Sequence, residues 1–333
     1  THEPSAASTS IYMAGYIQDD WKITSKLTLN LGLRYDVDRP RTERFNQHSF
    51  FDINAPSPLQ GAIPATACLN CGDLRGQMRF VTAENRRQTP TDWNNWGPRF
   101  GFAYNFARNM VLRGAYGIAF APSAMQAAGT TGAAGMDGFN STSEPVFTFD
   151  GMRTIYTYLR NPFPDGYNLP TGNSLGARTN LGLSIGDSYF EAYRNPYIQQ
   201  WNMTLQRSFP GDMVVEIGYI GNRGIGLVDG EAARQFNQLP VSYQAFGVAL
   251  QELVDNPFYG KIPYTVGALA QPRVSRAQLL RPYPHYTSLQ SFRKPVASSI
   301  YHGMTIRADK RFSKGLTVLF AYTAGKAIDD ASS

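Results

Sequence analysis

Residues Lys26 to Val37, KLTLNLGLRYDV, alternate without a break. Leu27, Leu29, Leu31, Leu33 and Tyr35 fall on one side; Thr28, Asn30, Gly32, Arg34 and Asp36 fall on the other. A period of two over this length predicts a β-strand with one apolar and one polar face. At roughly 3.3 Å per residue and a tilt of some 40°, such a strand rises about 30 Å, the thickness of a bilayer core. Strands of globular proteins are usually about half as long.

The same period returns along the chain. Pro98, Phe100, Phe102, Tyr104 and Phe106 oppose Arg99, Gly101, Ala103 and Asn105; Leu112, Tyr116, Ile118 and Phe120 oppose Arg113, Ala115, Gly117 and Ala119. Trp201, Met203 and Leu205 oppose Asn202, Thr204 and Gln206, with Arg207 on the apolar side near the strand end. Met213, Val215, Ile217 and Tyr219 oppose Glu216 and Gly218. Met304, Ile306 and Phe312 alternate with Thr305, Arg307, Asp309 and Arg311, and Leu316, Val318, Phe320 and Tyr322 with Thr317, Ala321 and Thr323. Ile11 to Ile23 is a strand whose faces the pattern does not separate. These eight strands pair through the tight links Thr24-Ser25, Ala107-Arg108-Asn109, Pro210-Gly211 and Ser313-Lys314-Gly315. The hairpins lie near 11–37, 96–121, 199–222 and 300–326, and between them run the long connections 38–95, 122–198 and 223–299. Connections of that length are rare in compact soluble domains, and some must carry short strands of their own, Phe147 to Tyr158 being one candidate.

Tight turns on one side and long loops on the other predict an all-β fold, an antiparallel transmembrane β-barrel segment that forms part of a larger barrel. In hydrocarbon every backbone polar group needs a partner, so only closed sheets or helices persist there. Tyr12, Trp21, Tyr35, Trp201, Tyr301 and Tyr322 lie near strand ends, where interfacial aromatics sit. The polar faces suit a wet lumen, with Arg34, Asp36, Arg99, Arg113, Glu216, Arg307 and Asp309 as candidate lumen-facing groups. A soluble β-sandwich that binds carbohydrate would also alternate and is the competing fold. Composition sharpens the choice: charged residues are only 17%, with 31 Gly, 19 Tyr and 20 Phe, a balance unlike helical bundles or disordered chains. The net charge of +6 is mild and scattered, which excludes a nucleic-acid footprint.

Tyr16-Ile17-Gln18-Asp19-Asp20-Trp21 followed by Leu27-Thr28-Leu29-Asn30-Leu31-Gly32-Leu33-Arg34-Tyr35-Asp36 resembles a hairpin common among TonB-dependent outer-membrane receptors. Asn94–Phe102, Asn195–Arg207, Gly218–Gly224, Arg281–Tyr286 and Lys310–Asp330 resemble the Oar-like branch, whose members usually carry an N-terminal carboxypeptidase-regulatory-like domain. The order and spacing of these motifs, over nearly the whole chain, make the set specific. The resemblance implies a 22-stranded barrel around a plug domain, a TonB-type energy-coupling protein as partner, and uptake of a scarce small ligand, sugar or peptide. Signal peptide, plug, TonB box and terminal aromatic residue are not recognised, and eight strands are too few for a plugged barrel. The chain therefore reads as an internal barrel fragment of a longer receptor, expected in a Gram-negative-type outer membrane and in contact with its lipid. A passive porin or adhesin-type barrel is the alternative.

No residue pattern predicts an enzyme or a cofactor. Cys68 and Cys71 are the only cysteines; a metal site lacks further ligands nearby, His48 being distant, and a redox motif lacks its strand-to-helix setting. An exported loop favours a possible disulfide over free thiols. Gly172-Asn173-Ser174-Leu175-Gly176 matches a nucleophile elbow in letters but sits among turn formers. His2, His48, His285 and His302 are dispersed. Gly221-Asn222-Arg223-Gly224 reads as a strand exit, and Ala127 to Gly138 as a mobile mouth loop or a linker. Phe163, Tyr167, Tyr189, Tyr193, Tyr283 and Tyr286 either offer stacking surfaces to a ligand or pack the loops on one another, and the second is the commoner use of such residues.

Overall fold

The computed structural model describes the chain apart from residues 1, 3, 122–134, 142, 144–154, 156–157, 165, 168, 191–193, 229–234, 266, 292–294, 314–315 and 331–333. The strand expected within Phe147 to Tyr158, most of the Ala127–Gly138 stretch, Tyr193 and the Lys314-Gly315 link lie outside the described residues.

Eight strands form one antiparallel sheet in chain order: β1 (Ser8–Lys22), β2 (Leu27–Glu43), β5 (Asp92–Ala107), β6 (Met110–Phe120), β8 (Tyr197–Phe209), β9 (Met213–Val228), β13 (Pro295–Ser313) and β14 (Leu316–Asp329). Residues directly opposite in an antiparallel pair share a face, so the register settles every orientation. One row runs Asp19–Leu31–Phe100–Tyr116–Trp201–Gly221–His302–Lys326 on the apolar side. The neighbouring row Gln18–Gly32–Arg99–Gly117–Gln200 belongs to the polar side. A single meander with one apolar and one polar face is the wall of a barrel, not half of a two-sheet sandwich.

The register also assigns β1, where alternation was ambiguous. Ile11, Met13, Ile17 and Trp21 share the apolar side with Leu29, Leu33 and Val37, while Tyr12, Tyr16 and Gln18 share the polar side with Arg34 and Gly32. Tyr12, and Tyr301 opposite Asn222, therefore do not belong to an outward aromatic belt, whereas Trp21, Tyr35, Trp201 and Tyr322 do. On the loop side the strands outrun the apolar pattern: β2 reaches Glu43 and β9 reaches Val228. The Gly221–Gly224 motif thus lies inside a strand rather than at its exit. On β2 the outward position after Val37 is Arg39, so the alternation fades while the hydrogen-bond ladder continues.

Turn chemistry follows the sequence. Thr24 Oγ1 accepts from the N–H groups of Lys26 and Leu27 at 3.1 and 3.0 Å. The β8–β9 link spans Pro210 to Asp212, with Gly211 at φ 84° and Asp212 at φ 58°, the left-handed region that glycine and aspartate tolerate.

The long connections fold together into a cap. It carries three small sheets: β3 (Ser49–Pro56) with β4 (Arg75–Phe80), β10 (Leu253–Asp255) with β11 (Arg273–Ser275), and β7 (Ser184–Tyr189) in parallel with β12 (Ser288–Ser291). One hydrophobic core joins all three loops: Phe51, Leu74 and Met78 from the first, Leu181 and Ile185 from the second, Phe258 and Tyr286 from the third. The wall and the cap thus divide the work, the wall exposing its apolar face and the cap burying its own.

Candidate functional site

Two surfaces gather the polar side chains, the polar face of the wall and the cap. On the polar face of β1 and β2, Arg34 Nε donates to Asp36 at 3.0 Å, Tyr12 Oη donates to the same carboxylate, and Arg34 donates to Tyr12 Oη at 2.8 Å. Asp36 is buried at the foot of the cap, where Asn95 Nδ2 donates to its backbone carbonyl at 3.1 Å. Arg99 stands between Gly32 and Gly117, and Arg113 opposite Ala103 and Thr204. Small neighbours leave both guanidinium groups exposed. Farther round, Glu216 faces Gln206 and Arg307, and Arg307 pairs with Asp309 at 3.3 Å, forming a recess of about 190 Å³. The sequence-predicted polar residues thus fall into three separate groups along one face rather than a single constellation.

The cap is rigidified by buried amides. Asn237 Nδ2 donates to the carbonyls of Tyr283 and Tyr286, and its Oδ1 accepts from Tyr283 N–H. Gln278 Nε2 donates to Pro284 and Tyr286 carbonyls, and Asn256 Nδ2 to Leu269 and Gln271 carbonyls. These groups satisfy turn carbonyls that burial would otherwise strand. Loop-to-loop tethers complete it: Asn70 Nδ2 to Pro282 O at 2.8 Å, Lys261 Nζ to Ala62 O at 2.7 Å, and Leu183 O accepting from Thr287 N–H at 3.0 Å. Where β2 leaves the wall, Glu43 is buried. Burial opposes its charge, yet N–H donors from Gln47, Ala7 and Phe45 hold its pKa below the usual carboxylate value.

His285 lies in the cap core, its ring 4.5 Å from that of Tyr286 and 6.2 Å from that of Phe258. No hydrogen bond of good geometry reaches either ring nitrogen. Burial lowers its pKa to about 3, the Gly76 backbone offsetting only part of that. Asp137 is held between Asn180 Nδ2, at 2.7 Å, and the Ser188 hydroxyl, and burial raises its pKa. Neither residue announced itself in the sequence, because their surroundings come from distant loops.

Cys68 and Cys71 are bridged, with Cα atoms 5.1 Å apart, and Cys71 is buried in the cap core. Ser174 Oγ donates to Thr171 O in an exposed turn, with no strand before it, so the elbow pattern is local turn chemistry. Among the described residues no cluster of His, Cys, Asp or Glu suits a metal. Tyr189 and Tyr286 pack edge-on against Phe51 inside the cap. Phe163 and Tyr167 pair at 5.0 Å on the surface, Tyr167 being 62% exposed. No helix among the described residues is long and apolar enough to cross a membrane.

Residues 1–333 match the family described as outer membrane beta barrel domain. Among curated proteins nothing matches. Solved structures to which the chain is similar include the alcaligin outer-membrane receptor FauA from Bordetella pertussis (9% identity, TM-score 0.37, covering 98% of this chain and 32% of that one). The ferric-catecholate import receptor Fiu from E. coli K12 is similar at 12% identity and TM-score 0.37, covering 98% and 29%. The ferripyoverdine receptor of Pseudomonas aeruginosa bound to ferripyoverdine is similar at 9% identity and TM-score 0.36, covering 98% and 24%. The chain thus spans a third or less of the length of these structures.

Proposed function

From a chain that belongs to the outer membrane beta barrel domain family, we propose that this wall and cap are an internal part of a TonB-dependent receptor of the Oar-like branch. It takes up a small ligand, sugar or peptide and catalyses no reaction. The observation that carries the reading is the β1–β2 hairpin: its receptor-like motif stands in register, Tyr16 opposite Arg34 and Gln18 opposite Gly32. The polar side of this hairpin, with Arg99, Arg113, Glu216, Arg307 and Asp309 farther round, faces the lumen and lines the plug. The cap closes over it and, with its interior filled by its own side chains, offers ligand only its outer surface and its underside. Strands β1 and β14 are exposed along their whole length, and unpaired edges do not persist in hydrocarbon, so further strands close the barrel.

Ligand-dependent growth or uptake by cells carrying the full-length receptor tests this, with and without a functional TonB-type coupling protein. Uptake lost without the coupling protein supports the receptor. Uptake that persists unchanged identifies a passive porin-type barrel instead.

A further inference from the structure

The apolar face carries ionisable groups at two heights. On the turn side lie Asp19 on β1, Arg207 on β8 and Lys310 on β13, opposite Leu31, Val215 and Met213 respectively. On the loop side lie Arg223 on β9, His302 on β13 and Lys326 on β14, with His302 opposite both Gly221 and Lys326. Between Lys310 and His302, as between the partners of Arg207 and Arg223, the strand rises eight residues, about 20 Å at a tilt of some 40°. With the reach of long side chains that snorkel to an interface, this spans the ~25 Å apolar band of an outer-membrane wall. The loop-side group therefore stands at the outer headgroup level.

That group is built as a platform. Tyr219 Oη meets His302 Nδ1 at 2.6 Å, and Trp201 Nε1 donates to Tyr219 Oη at 3.4 Å. The Tyr219 and His302 rings stack at 15°. Trp201 lies over Gly221, where an added Cβ would meet its ring at 2.3 Å. Arg223 and Lys326 flank this aromatic floor, both exposed, and among the described residues neither pairs with a carboxylate. Asp330, one row above, is engaged by Ser298, which donates from both its backbone N–H and its hydroxyl.

We infer that Arg223 and Lys326, with the Trp201–Tyr219–His302 floor, bind the phosphate-bearing headgroup of an outer-leaflet lipid. The cations are roughly 12 Å apart by strand spacing, a span that suits a headgroup with two phosphates. The inference rests on the outer-membrane wall assigned above. The test uses full-length receptor in phosphatidylcholine nanodiscs doped with diphosphoryl lipid A, reading retained lipid A by native mass spectrometry. Each cation near a charged lipid surface contributes about fivefold in binding, so R223Q/K326Q weakens retention roughly 25-fold. R99Q removes the same kind of charge from the opposite face and retains lipid A like wild type. Retention by R223Q/K326Q equal to wild type overturns the site, as does an equal loss in R99Q. Displacement of lipid A by millimolar inorganic phosphate would make it a free-anion site and overturn the lipid assignment. Heat-modifiable gel mobility is read on each preparation: an unshifted wild type sinks the barrel reading itself, whereas a shifted wild type with unchanged retention sinks only this inference.

Discussion

At the residue scale the cap is poised by groups whose ionisation burial opposes. His285 has a folded-state pKa near 3 against about 6.5 when unfolded. Below pH 6.5 the unfolded cap binds a proton that the folded cap refuses, so stability is present above 6.5 and is lost as pH falls toward 3. The closing equilibrium should weaken by up to about tenfold per pH unit in that window. Cleavage of the loops by an acid-tolerant protease should therefore accelerate between pH 6.5 and 5. H285L should flatten the slope, and an unchanged slope would show that other groups govern it. Glu43, whose pKa the fold lowers, also loses its contribution in acid, but only below the unfolded value of about 4.3, outside the pH 6.5–5 range of the protease assay. Backbone strain supplies a second test at the same scale. Gly211 at φ 84° accepts what a β-branched residue resists, so G211V should cost about 1–2 kcal/mol, read as a lower urea midpoint for refolding. D212G, at φ 58°, should leave that midpoint nearly unchanged.

At the scale of elements, what alternation made legible and what it did not separate cleanly. The wall was legible because membrane and lumen impose opposite demands on successive residues: Leu29, Leu31 and Leu33 against Asn30, Gly32 and Arg34. Strand ends on the loop side were not, since Arg39 or Arg223 looks the same in a strand as in a loop once no hydrocarbon constrains it. The cap was invisible as a unit, because its core has no period. Phe51, Leu181 and Tyr286 come from three loops, and the Tyr286 hydroxyl reaches the Gly76 carbonyl, 210 residues away, at 3.4 Å. Tyr286 is fully buried against Phe51 and His285, so Y286A should cost the cap about 3–5 kcal/mol. Because the cap has its own core, limited trypsin digestion of the variant should cleave within 38–95 and 223–299 while the barrel keeps its heat-shifted gel mobility. Simultaneous loss of the heat shift would mean that cap and wall fold as one unit.

At the scale of the molecule, the charged positions on the apolar face explain the tilt that the sheet needs. A single cross-strand row begins at Asp19, close to the Thr24–Ser25 turn, and ends at Lys326, close to the loop end of β14. Rows climb in this way only when strands lean, and lean and stagger are linked in a barrel. If the strands stood upright the row would lie level, and one of its two ends, Asp19 or Lys326, would then fall inside the apolar band, at a cost of about 2–4 kcal/mol for the lysine. Both ends of the arc are bare: β1 and β14 expose residues along their whole length, including Ile17 at 72% and Leu319 at 65%. An arc with two bare edges cannot enter hydrocarbon, since each unpaired backbone group there costs several kcal/mol. Residues 1–333 expressed alone should therefore give no heat-shifted band in outer-membrane fractions or after detergent refolding, whereas a chain that supplies the closing strands should give one. A heat-shifted band from residues 1–333 would require β1 to pair with β14, either within one chain or between copies. In that case the wall is a small barrel complete in itself, and the plugged-receptor reading fails.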